Sequence, residues 1–91
     1  EYYNSPIESN LKSKILLIDD KEDFIDYLKK SLEQYWDVLI ANDSQTALKL
    51  AVEQLPDLIL INNMTSKLDR LYLIQNLNKS KITKDIPYIF I

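Results

Sequence analysis

KILLIDDKEDFIDYLKKSL, residues 14–32, decides the fold. Ile15-Leu16-Leu17-Ile18 is a continuous apolar run, the signature of a strand buried on both faces, and it stops abruptly at Asp19-Asp20. The stretch KEDFIDYLKKSLEQY then places Phe24, Leu28, Leu32 and Tyr35 near helical spacing, with acids in the first turn. The same rhythm repeats downstream. Val38-Leu39-Ile40-Ala41 reads as a second strand, and Asn42-Asp43-Ser44 offers N-cap residues for a helix with Ala47, Leu48, Ala51 and Leu55 on one face. Pro56 stops that helix, and Leu58-Ile59-Leu60-Ile61 is a third strand, ending in Asn62-Asn63. A polar loop, Thr65-Ser66-Lys67, leads to a third helix with Leu71, Ile74 and Leu77 inward, and Pro87 opens a fourth strand, Tyr88-Ile89-Phe90-Ile91.

Strands alternating with helices imply βαβ units and a parallel sheet, and strands apolar on both faces require helices on both sides. The pattern therefore predicts a doubly wound α/β domain over residues 12–91, in the order β-α-β-α-β-α-β. Residues 1–11, EYYNSPIESNL, are polar and aperiodic and read as a linker or the tail of an upstream domain. Tyr2, Tyr3, Ile7 and Leu11 could still dock on an apolar surface.

Composition narrows the chemistry. The 91 residues contain no cysteine and no histidine, which excludes disulfides, thiolate metal sites, zinc sites of the usual kind, Ser-His-Asp triads and histidine phosphotransfer within them. They contain no glycine, where average usage of about 7% would give about six, so neither a glycine-rich phosphate loop nor a dinucleotide fingerprint can be built. Turns with positive φ are expected to fall to Asn, Asp or Ser. Eleven basic and fourteen acidic residues give a net charge of −3, a poor match to nucleic acid. Lys29-Lys30 and the run Lys79, Lys81, Lys84 read as solvated faces, and Tyr27, Tyr35 and Trp36 as packing residues. No apolar run approaches the roughly 18 residues that span a bilayer and no signal peptide is visible, so a cytoplasmic location is expected.

In an open parallel sheet, ligands bind beyond the carboxyl ends of the strands, where strand order reverses. Asp19 and Asp20 arrive there after the first strand, and Asn62 to Met64 after the third. If those two strands are neighbours, two carboxylates and an amide converge on one crevice, an oxygen-rich set suited to Mg²⁺. The plainer alternative is that Asp19 and Asp20 cap the following helix or mark a turn.

KILLIDDKEDFIDYLKKSL, IANDSQTAL, PDLILINN and KDIPYIFI together resemble the receiver domain of two-component response regulators, over about residues 12–91. The resemblance implies a flavodoxin-like sheet of order 2-1-3-4-5, of which 2-1-3-4 falls within these residues. It implies Mg²⁺ held by Asp19, Asp20 and the backbone carbonyl of Met64, and a phosphoacceptor at position 62. That acceptor is an aspartate in the family and Asn62 here. An ionised carboxylate attacks phosphorus, whereas an amide has no anionic oxygen and a delocalised nitrogen lone pair, so phosphorylation at Asn62 is not expected. Cation affinity should fall too. At about 4 Å and an effective dielectric of about 20, a dication and a carboxylate attract by about 8 kcal/mol before desolvation is deducted.

Other stations also depart from the family pattern. Thr65-Ser66-Lys67 stands where a Met-Pro pair is usual, Arg70 follows Asp69 near a usual glycine, and Asp43-Ser44 replaces Asp-Gly. The family's fourth helix, fifth strand and fifth helix, with the switch Thr or Ser and the paired Lys, are not among these residues, which read as a receiver incomplete at its C-terminus. Ile59, Ile61, Ile89 and Ile91, or their alternates, are then expected to be bare, which favours self-association. The reading is a pseudo-receiver of a two-component protein, partnered by a histidine kinase or output region, in the layout of a hybrid sensor kinase. Alternatives are an ordinary phosphoaccepting receiver with Asn substituted at the acceptor, and a fragment of an Mg²⁺-dependent phosphoryl-transfer enzyme.

Overall fold

A computed structural model of the chain describes residues 12–62 and 67–91. Four strands and three helices alternate: β1 (Ser13–Ile18), α1 (Glu22–Leu32), β2 (Trp36–Ala41), α2 (Ser44–Gln54), β3 (Leu58–Ile61), α3 (Lys67–Lys79) and β4 (Tyr88–Phe90). The strands form one parallel sheet in the order β2-β1-β3-β4. β1 is central, with Ile15 in register with Val38 on one side and Leu58 on the other. This is the doubly wound architecture expected from the apolar runs, in the flavodoxin-like strand order that the resemblance implies. The proposed tail, residues 1–11, lies outside the described residues. Among the described residues, no helix is long and apolar enough to cross a membrane.

Strand alternation divides the core between the two faces. Leu16, Ile18, Ala41, Ile59 and Ile61 pack with Ala47 and Ala51 of α2 and Leu73 and Leu77 of α3. The intervening Ile15 and Leu17 are equally buried and face the side that carries Ile25 of α1. Burying a side chain of this size is worth about 1.5–3 kcal/mol, so the double-sided burial of β1 anchors both layers.

The helices differ from the sequence expectation in phase. On α1 the buried residue is Ile25, with Leu28 and Leu32 half-buried; Phe24 is 37% exposed, and Tyr35 lies beyond the helix at 72%. Tyr27 is also exposed, so Tyr27 and Tyr35 are not packing residues, while Trp36 is half-buried at the start of β2. On α3 the inward residue is Leu73, not Leu71, beside Leu77 and the half-buried Ile74. The run Leu71-Tyr72-Leu73-Ile74 is apolar through a full turn, and contact with α2 and β3 selects its phase.

Asp43 is the N-cap of α2: its Oδ1 accepts the Thr46 N–H at 2.7 Å, and that bond holds its carboxyl below the ordinary aspartate value. At the other end, Leu55 takes a left-handed conformation (φ 48°, ψ 63°) and donates its N–H to Ala51 O. The expectation that Asn, Asp or Ser would supply positive φ is corrected by this leucine. Proline at 56 disfavours the right-handed helical conformation for the residue before it, which ends the helix, and Leu55 closes that end in the left-handed cap geometry common at helix C-termini. Leu55 is consequently exposed, outside the apolar face assigned to it. Lys14 Nζ donates to the Gln54 carbonyl at this negative helix end.

Exposure at the sheet edge follows half of the expected list. Ile59 and Ile61 are buried beneath α2 and α3, whereas Ile89, Phe90 and Ile91 of the β4 segment are about half exposed. The lysines at 29, 30, 79, 81 and 84 are exposed, as expected of solvated faces.

The phase of α3 gives a direct test. Leu73→Ala should lower the unfolding free energy by about 2–5 kcal/mol, and Leu71→Ala by less than about 1 kcal/mol, in urea denaturation. Equal losses would contradict the observed packing.

Candidate functional site

The crevice is built where two backbone ladders run past the ends of their strands. Asp19, the residue after β1, donates its N–H to Ala41 O at 3.1 Å; Asn62, the residue after β3, donates its N–H to Ile18 O at 2.8 Å. These two bonds fix both residues at the carboxyl edge of the sheet, side by side, although they lie 43 positions apart in sequence. Parallel pairing of β1 with β3 is therefore what makes the site.

Asp19 is fully buried and Asn62 is 7% exposed. Asn62 Nδ2 donates to Asp19 Oδ2 at 2.8 Å, within the buried crevice. Asp19 Oδ1 accepts the backbone N–H of Lys21, also at 2.8 Å. Because a carboxylate only accepts, the atom of Asn62 that faces Asp19 must be the nitrogen. A buried carboxylate is costly unless hydrogen-bonded, and here each oxygen has a donor.

The second bond also organises the chain locally. Lys21 is the N-cap of α1 and has no side-chain cap bond of its own. Asp19, two residues earlier, takes up its N–H in an Asx-type turn and so sets where the helix begins. Of the two readings of the acid pair, the turn is the one visible in the hydrogen bonding of Asp19, which also lines the crevice. Asp20, its neighbour, is exposed. Met64, whose carbonyl was expected to complete a cation site, lies outside the described residues, as do Asn63, Thr65 and Ser66.

Reading residues alone missed two features. One is the Lys21 N–H as a donor, which an Asp two residues ahead of a helix start could have signalled. The other is the direction of the Asn62 amide. Asn62 was expected to lend an oxygen to a cation; its nitrogen is what meets Asp19.

No family model matches the chain. Relatives do. The chain is 37% identical over 73 residues to the alkaline phosphatase synthesis transcriptional regulatory protein PhoP of Bacillus subtilis, a match spanning 79% of this chain and 30% of that protein. It is 33% identical over 82 residues to the response regulator PleD of Caulobacter vibrioides, spanning 89% of this chain and 18% of that one. The chain thus spans less than a third of the length of either relative. Among solved structures, the non-phosphorylated HemR receiver domain from Leptospira biflexa superposes with a TM-score of 0.72 at 28% identity, covering 87% of this chain and 63% of that one.

Removing the buried donor should expose the cost of the lone carboxylate. Asn62→Leu is expected to destabilise the chain by about 1–3 kcal/mol, and Asn62→Leu with Asp19→Leu by less than the sum of the single variants. Additivity in that double-mutant cycle would show that the two side chains do not interact.

Proposed function

We propose that this chain, homologous to the receiver domains of two-component response regulators, is a pseudo-receiver that signals by binding and does not accept a phosphoryl group. The observation that carries the reading is the residue at the carboxyl end of β3. Asn62 occupies the place where the resemblance puts the acceptor, and its nitrogen is engaged by Asp19. Phosphoryl acceptance requires an anionic oxygen free to attack in line, and this side chain offers an amide held by its neighbour. The departures at Asp43-Ser44, Asp69 and Arg70 support a crevice that has drifted from that chemistry.

The chain acts as a signalling module rather than as an enzyme. Its partner in this reading is a histidine kinase or an output region, in the same polypeptide or another, on the cytoplasmic side of a hybrid sensor system. The resemblance supports this by analogy of fold and sequence. Self-association of the 91 residues draws support from β4, an edge strand with exposed apolar side chains. Beside it Arg70, Leu71, Ile74, Tyr88 and Phe90 line an apolar groove of about 280 Å³.

The test is intact mass after incubation of the full-length natural chain with Mg²⁺ and acetyl phosphate, beside its Asn62→Asp variant. The natural chain is expected to gain no phosphoryl mass. A gain would overturn the reading. A gain by the variant alone would identify Asn62 as the single block in an otherwise competent crevice.

A further inference from the structure

The buried carboxylate of Asp19 needs donors, and among the described residues it accepts two N–H groups, from Lys21 and Asn62. A receiver-type cation would need the same oxygens. Two observations set the present side chains against it. Asp19 Oδ2 is met by the Asn62 Nδ2–H, and an amide nitrogen has no lone pair to give a metal. Asp19 Oδ1 accepts the Lys21 N–H that fixes the start of α1, which leaves it one lone pair and ties its direction to the helix start. For Asn62 to ligate through oxygen, its amide must turn and surrender the bond to Asp19. The Nδ2–H would then point away from Asp19.

We propose that the Asn62 amide takes the place of the divalent cation: it neutralises the demand of Asp19 by hydrogen bonding and makes the crevice metal-independent. The inference deepens the pseudo-receiver reading and rests on it for the comparison with a cation-holding site. The hydrogen bond is internal and buried, so on this proposal the carboxyl edge of the sheet is held in one arrangement whatever the Mg²⁺ concentration. Asn62 is a positioning residue in this account, acting on Asp19 and, through the Lys21 N–H, on the first turn of α1. Replacing it by aspartate removes the donor and sets a second carboxylate against the buried one, a pair that needs a cation between them.

Thermal unfolding of the full-length natural chain and its Asn62→Asp variant, in EDTA and then in MgCl₂, tests this without any phosphodonor. The natural chain should melt at the same temperature in EDTA and in about 10 mM MgCl₂, while the variant melts lower in EDTA and recovers by roughly 5 °C or more with the metal. A variant that folds only when MgCl₂ is added gives the same support. A saturable rise for the natural chain, or a variant as stable as the natural chain in EDTA, would overturn the proposal. A second readout needs no variant: Mn²⁺ added to the ¹⁵N-labelled natural chain should leave the amide signals of Asp19 to Lys21 and Asn62 no broader than those elsewhere, and selective broadening there would overturn it. The two readings fail separately, because phosphoryl uptake by the natural chain counts against the functional one and cation stabilisation counts against this one.

Discussion

A carboxylate with no solvent exposure, Asp19, is the constraint on which the carboxyl edge of this domain depends. It sits at the end of the central strand, bonded through its backbone to β2 and flanked by the residue that ends β3. Burying a charge there is tolerable only with donors already in place. The fold supplies one from the chain entering α1 and the sequence supplies the other from Asn62. Sheet pairing, the start of the first helix and the crevice are therefore coupled through one side chain.

That coupling bears on signalling. In a site that responds to phosphorylation, the acceptor must be an anion open to attack, and the charge in the crevice must change when the signal arrives. Here the acceptor station is occupied by a neutral donor directed inward. On the proposed reading nothing in the pair alters with a phosphodonor, and the surface above it is then presented in a constant form. A constant surface is suited to docking or positioning a partner, and exposed apolar side chains along β4 and α3 lie on the adjoining edge.

Much of this was legible in the sequence because buried parallel strands advertise themselves. Ile15 to Ile18 and Leu58 to Ile61 are apolar on both faces, and no helix or surface strand needs that pattern over so few residues. The strand order implied by the family resemblance then placed Asp19 and Asn62 together without any knowledge of contacts. Helix phase was less legible. In α3 the apolar residues 71–74 surround the helix, so periodicity does not choose between Leu71 and Leu73, and packing against Ala47, Ala51 and Ile59 does. In α1 the choice lay between Phe24 and Ile25, and the smaller β-branched side chain is the buried one. The left-handed turn at Leu55 was hidden because the helix-end geometry requires it there, and a leucine carries no sign of that conformation. The direction of the Asn62 amide was illegible for a different reason: an asparagine carries a donor and an acceptor, and only its neighbour decides which faces inward.

The most direct measurement of the central claim is solvent exchange of the Asn62 side-chain NH₂ protons, followed by NMR in the natural chain. One of the two should be shifted and protected, because it is buried against Asp19 Oδ2, and Asp19→Ala should release it. Exchange as fast as that of an exposed asparagine amide, unchanged by the substitution at Asp19, would contradict the account.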